Sequence, residues 1–196
     1  MNEKADLTEI VRKQLSEKRF KHSVSTAELS ETMCIEYSQD STKGYIAGLL
    51  HDIGRERPQD ELIRLAGEEY AISEEEYRRP RMLHGKAGSV IVKNEFGIRD
   101  SEILEAVAYH VTGNPGMGPL AVIVFIADYL EPERYYPTAS LREQIGSISL
   151  EKLLCKVMNE IFAHLRNKGK QIATPALQLY RETEEKVSCF EKKERI

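Results

Sequence analysis

Apolar residues in this chain recur at helical spacing almost from end to end, and no run alternates convincingly with the period of two that a half-buried strand requires. Leu7, Ile10, Val11 and Leu15 form one stripe, and Phe20, Val24, Ala27 and Cys34 continue on a second helix to about Tyr37. Ser41 is placed to cap a third helix carrying Tyr45, Ile46, Leu49 and Leu50, with Gly54 placed to end it. Pro58 and Pro80 bracket a charged stretch expected to hold a shorter helical region. A helix from about Met82 to Glu95 should stop near Gly97, and Asp100 should cap one that ends near His110. Pro119 suits the first turn of the next helix, which reaches Asp128 and stops before Pro132. Ser149 opens a long amphipathic helix to about Lys168, and Thr174-Pro175 opens the last one. The run AVIVFIA could be misread as a buried strand, but the proline before it and the helical context assign it to a buried helix. The expectation is an all-α fold, a single compact bundle of about eight helices.

The 196 residues are one domain's worth, with a core large enough to fold without disulfides. Cys34, Cys155 and Cys189 show neither pairing nor metal spacing, which suits a reducing cytoplasm. The N-terminus lacks the apolar stretch of a signal peptide, and the longest apolar run, Leu120 to Ala127, is far too short to span a membrane. A net charge of -4 argues against a general nucleic-acid binder.

Histidine and aspartate are scarce, with five histidines and six aspartates in the chain. Their placement carries the chemistry. His22 lies near a helix start in RFKHSVSTA, His51 precedes Asp52 in GLLHDIGRE, His84 sits in RMLHGKAGSV, His110 closes AVAYH, and Asp128 ends VIVFIAD. Successive groups are separated by roughly one helix and its connection, so a bundle can bring them to one site. Side chains of neighbours such as His51 and Asp52 diverge on a helix. At a last turn before Gly54 the backbone can change direction and let both reach one centre. A carboxylate there can bridge two ions through its two oxygens. Imidazole and carboxylate suit iron, manganese, zinc or cobalt, and six such groups are enough for two metals. Taken singly, His51 and His110 could instead serve helix dipoles, and Asp128 could be a cap or a satisfied core aspartate. Six together, ordered along successive helices, favour a common site. His164, beside Arg166 and Lys168, is assigned to a solvated face near a helix end.

This order of histidines and aspartates resembles the HD-domain metal-dependent phosphohydrolases. The blocks RFKHSVSTA, AGLLHDIGRE, LHGKAGSVIV, AVAYHVTGNPGMG and VFIADYLEPERYYP look like those of its YqeK-type branch, over roughly residues 7 to 181. The resemblance implies an HD core over 18–134, with C-terminal helices in 135–188 packed on it. It implies that His22, His51, Asp52 and Asp128 hold one metal, with Asp52 bridging to a second that His84 and His110 complete. The pair would be transition-metal ions, iron first, with manganese, cobalt and zinc as alternatives. The branch is associated with symmetrical cleavage of diadenosine tetraphosphate to two ADP. Val111 and Asn114 depart from its usual pattern in the loop after His110.

The chemistry expected of such a site is in-line attack on a central phosphorus by a hydroxide that bridges the ions and is oriented by Asp52, with ADP leaving. Local positive charge at the ions, rather than the net charge of the chain, would then govern attraction of an anionic substrate. Arg55, Lys86 and Arg134 are candidates to hold phosphate oxygens, and surface salt bridges are the competing reading for each. Thr112 and Gly113 start a loop whose backbone N–H groups could cradle phosphate, although the glycine could merely make the turn. The expected partner is a nucleotide substrate or an ADP-like product, with no nucleic acid and no membrane, and a homodimer is the default assembly. Two other functions fit the same residues: an HD-domain nucleotidase or phosphodiesterase for another nucleotide, and a non-catalytic metal- or nucleotide-binding regulator.

Overall fold

The computed structural model describes residues 3–133 and 139–193. Its helices are α1 (Glu3–Gln14), α2 (Glu17–Glu36), α3 (Ser41–Leu50), α4 (Gln59–Ala66), α5 (Glu74–Arg78), α6 (His84–Glu95), α7 (Ser101–Tyr109), α8 (Pro119–Leu130), α9 (Ala139–Arg142), α10 (Leu150–Asn167) and α11 (Thr174–Lys193). A 3-10 turn, Pro80–Leu83, runs directly into α6. Among the described residues there is no strand, and the protein is all-α.

The helix count exceeds the expected eight because short helices carry too few apolar positions to register as a period. The stretch between Pro58 and Pro80 divides into α4 and α5, and α5 is opened by a reciprocal capping box between Ser73 and Glu76. The short α9 was not anticipated either. Asp100 caps α7, its carboxylate accepting from the N–H groups of Glu102 and Ile103, and Ser149 accepts from Lys152 at the start of α10. The cap of α3 is Asp40 rather than Ser41. Its carboxylate accepts from the N–H groups of Thr42 and Lys43 at 2.9 and 3.1 Å, and a carboxylate there also meets the positive end of the helix.

The AVIVFIA run is helical and buried on every side, so α8 is a central rod rather than an amphipathic surface helix. One apolar cluster joins α8 to Leu153, Leu154, Val157, Met158 and Phe162 of α10 and Leu179 of α11. A second cluster joins α1, α2, α3, α4, α6 and α7, and Leu50, Leu62 and Val90 are fully buried in it. Helices from both clusters converge where the histidines and aspartates lie.

Small residues set the helix separations that matter there. A Cβ on Gly48 of α3 would stand 2.7 Å from Cα of Ala27 in α2. One on Gly85 of α6 would stand 2.6 Å from the Ala108 carbonyl oxygen in α7. Gly54 does not end α3, which stops at Leu50. Its missing side chain admits the His84 carbonyl oxygen, which would lie 2.5 Å from an added Cβ. The Gly85→Ala variant should therefore force α6 from α7 and destabilise the protein by about 1–3 kcal/mol, as overpacking does elsewhere. Chemical denaturation measures that loss, and a midpoint equal to the parent's would contradict it.

Candidate metal centre

Each candidate ligand stands at or near the end of a helical segment. His51 directly follows α3, His110 directly follows α7, His84 directly follows the 3-10 turn, and Asp128 lies in the last turn of α8. His22 sits in the second turn of α2. The backbone turns after Leu50, which lets the adjacent His51 and Asp52 reach the same centre. His22, His51, Asp52, His84 and His110 are buried, and the Asp128 side chain keeps 20% of its surface exposed.

The imidazole orientations follow from their outer nitrogens. Nδ1 of His51 lies 2.6 Å from the Gly48 carbonyl, Nδ1 of His84 lies 2.6 Å from the Arg81 carbonyl, and Nδ1 of His110 lies 2.7 Å from the Val107 carbonyl. In each case the partner is three residues earlier; for His51 and His110 it lies in the last turn of a helix, whose carbonyls lack intrahelical partners, and for His84 it lies in the 3-10 turn that leads into α6. A carbonyl only accepts, so Nδ1 carries the proton and Nε2 presents its lone pair inward. His22 has the same polarity, with Nδ1 3.0 Å from the buried Glu131 carboxylate. The helix-end and ligand readings of these histidines are thus two sides of one ring.

All four Nε2 atoms converge. His22 Nε2 is 3.2 Å from His51 Nε2 and 3.0 Å from Asp128 Oδ1. His84 Nε2 is 3.1 Å from His110 Nε2. The Asp52 carboxylate lies between the two groups, Oδ2 at 3.6 and 3.4 Å from His22 and His51, and Oδ1 at 3.1 and 3.6 Å from His84 and His110. Donors about 2.1 Å from one ion stand about 3.0–3.5 Å apart along the edges of its coordination polyhedron, so these separations suit metal binding. Two sets, His22–His51–Asp128 and His51–Asp52–His110, have ligand atoms within 4.8 Å of one another, and either could hold an ion.

The electrostatics favour the ligating protonation states. Burial pushes the Asp52 carboxyl up, but the surrounding His51, His110 and His84 rings outweigh it and hold the group well below the usual carboxylate range. Burial lowers His84, against the pull of Asp52, and so keeps its ring neutral.

The phosphate candidates divide. Arg55 brings Nη1 to 3.3 Å from both ring nitrogens of His84, beside the centre. Lys86 is committed elsewhere, its Nζ 2.6 Å from Glu76 and 3.1 Å from the Ala71 carbonyl, which is the salt-bridge alternative. The Gly113 N–H donates to the Tyr109 carbonyl, its φ is +67°, and a Cβ there would run into Leu179 of α11. The Thr112 hydroxyl donates to the Gly113 carbonyl, and the residue lines a cleft that also touches His110 and Asp128. Arg134 lies outside the described residues.

The HD domain family model matches residues 19–133, more than half of the chain, and spans all six candidate ligands. The chain belongs to the HD-domain family. This HD-domain protein is 28% identical over 162 residues to a symmetrical bis(5'-nucleosyl)-tetraphosphatase of Bacillus subtilis, covering 83% of the chain and 87% of the relative. It is 29% identical to the protein of the same name from Halalkalibacterium halodurans, covering 88% of the chain and 92% of the relative. A crystal structure from Clostridium acetobutylicum, described as a "predicted HD superfamily hydrolase involved in NAD metabolism", superposes with a TM-score of 0.86 at 30% identity, covering 93% of the chain and 97% of its own. Divalent-metal dependence comes with the HD domain, and the donor geometry above fits it.

Three residues of the HD-domain protein complete the site without having been singled out for it from sequence. Arg19, one helical turn before His22, donates Nη1 to Asp52 Oδ2 at 2.6 Å. Glu131, three residues after Asp128, is buried and accepts from the Glu133 N–H as well as facing His22. Burial pushes its carboxyl up, but the His22 hydrogen bond, with the Glu133 N–H and Ser25, outweighs this and lowers it. His164 is half-buried and lines the cleft beside Asp128, rather than lying on a solvated face. The i, i+3 spacings from His22 back to Arg19 and from Asp128 to Glu131 were visible signals. The position of His164 depends on how α10 packs. The Glu131→Ala variant should free the His22 ring and weaken metal binding by about 10–100-fold, the usual cost of losing such a partner. A competition titration with a chelator reads it, and unchanged affinity would remove Glu131 from that role.

Proposed function

We propose that this protein is a metal-dependent hydrolase of dinucleoside polyphosphates, with two transition-metal ions per chain, iron first. On this reading it cleaves diadenosine tetraphosphate symmetrically to two ADP. The observation that carries it is the division of the Asp52 carboxylate, one oxygen toward His22 and His51 and the other toward His84 and His110. The names of the Bacillus subtilis and Halalkalibacterium halodurans relatives support the substrate.

Divalent ions held by His22, His51, Asp52, His84, His110 and Asp128 would supply an acidified water and neutralise phosphoryl oxygens. The chain's own residues do the rest. Asp52 fixes the spacing between the two halves, and hence the line along which water meets phosphorus. Arg19 holds that carboxylate through its hydrogen bond to Oδ2, and Glu131 and the three backbone carbonyls keep every Nε2 directed inward. Arg55, beside His84, is placed to hold a phosphoryl oxygen. ADP leaves as a terminal phosphate, a better leaving group than an alkoxide, so a dedicated proton donor is unnecessary.

Incubating the manganese- or iron-loaded protein with diadenosine tetraphosphate and separating the nucleotides tests this. ADP as the sole product is expected. AMP with ATP would overturn the symmetrical regiochemistry, and an absence of turnover with either metal would overturn the activity.

A further inference from the structure

A cleft of about 200 Å³ opens beside the metal centre and shares His110 and Asp128 with it. Its walls are largely apolar, with Phe125 from α8, Phe162 and Leu165 from α10, and Ile172 from the turn before α11. Thr112, Tyr129 and His164 add polar atoms at its margin. We propose that this cleft takes one nucleobase of the substrate, and that α10 and α11 set the base preference. This rests on the reading above, since a nucleotide whose phosphates lie at the centre has its base within reach of the adjoining cleft.

Shape and chemistry support that occupant. Flat apolar walls with a few polar groups suit a planar heterocycle, whose faces are apolar and whose edge donates and accepts hydrogen bonds. The volume falls below the roughly 300–1,000 Å³ that encloses a drug-sized molecule, so one ring system enters and a whole dinucleotide does not. The second nucleoside of a four-phosphate substrate must then lie outside it. The α10 and α11 residues in this wall fall outside residues 19–133, the segment that the HD model matches. Part of the base-binding wall therefore comes from a stretch of chain beyond the one that holds the candidate ligands.

Ala176 of α11 is a small, buried residue in the cleft wall, and Ala176→Phe would fill the cleft. Calorimetry with the manganese-loaded protein, using ADP and inorganic pyrophosphate as separate probes, tests the assignment. One ADP per chain is expected for the parent. Ala176→Phe should weaken ADP about tenfold or more and leave pyrophosphate within about twofold, with metal content unchanged. Equal weakening of both probes, no weakening of either, or two ADP per chain would overturn the proposal. Should Ala176→Phe fail to fold, His164→Ala carries the same comparison, with ADP weakened about threefold or more and pyrophosphate unchanged. The two readings fail separately. A parent that binds ADP without hydrolysing diadenosine tetraphosphate defeats the activity alone, and a parent that turns over while both variants bind ADP normally defeats the cleft alone.

Discussion

Asp52→Ala should lower kcat/KM by about 10³-fold and reduce the metal content of both halves of the centre. Among the described residues it is this carboxylate whose two oxygens face both sets of imidazoles, at 3.4–3.6 Å on one side and 3.1–3.6 Å on the other. Loss of a partner one bond removed from a metal already costs about 10–100-fold in affinity or activity. A directly shared donor acts on two positions, so the effects multiply. The change also leaves Arg19 without the acceptor it meets at 2.6 Å, adding an unpaired cation to the site. Asp52→Asn separates the contributions, because it keeps the shape and one acceptor oxygen while losing the charge and the second acceptor. Metal analysis on gel-filtered protein, with initial rates on the same samples, reads the result. Two ions per chain and a rate within tenfold of the parent would contradict the bridging role.

The second large effect is selective. His84→Ala removes a donor from the Oδ1 side of Asp52 only, while the His22–His51–Asp128 set stays intact. His22→Ala removes one from the opposite side, where Nε2 lies 3.0 Å from Asp128. Each variant should retain one ion per chain and lose turnover by about 10²-fold or more, because hydrolysis then has only one Lewis-acidic position. A cobalt titration followed by visible absorption counts the sites directly. Retention of two ions in either variant would show that its histidine lies outside the coordination sphere.

The sequence order of the scarce histidines and aspartates made the six converging residues legible, because each lies near a recognisable helix boundary. The caps Asp100 and Ser149 were legible for the same reason, since a side-chain acceptor next to an apolar period leaves a local mark. Asp40 was passed over in favour of Ser41 because either type can cap, and only the backbone places the first free N–H groups. Lys86 and Gly113 illustrate a different limit. Both flank a candidate ligand in sequence, yet Glu76 on α5 claims the one and Leu179 on α11 packs against the other. Those partners are distant along the chain and leave no local trace. His164 was misplaced for a related reason, as the Ile172, Ala173 and Ala176 that complete its cleft pack there without leaving a mark beside it in the sequence.

The imidazole anchoring has a consequence for moving this centre into another scaffold. In mid-helix the carbonyl three residues before a histidine already accepts from the backbone, so neither ring orientation nor tautomer would be fixed there. His51 and His110 instead come with a helix end, and His84 with the junction between the 3-10 turn and α6, each with a carbonyl three positions back, as portable four-residue units. Transplanting the ligands therefore means transplanting the places where helical segments stop. A graft that copied only the side chains would leave the rings free to rotate, and ion capture would carry the entropic cost of ordering them.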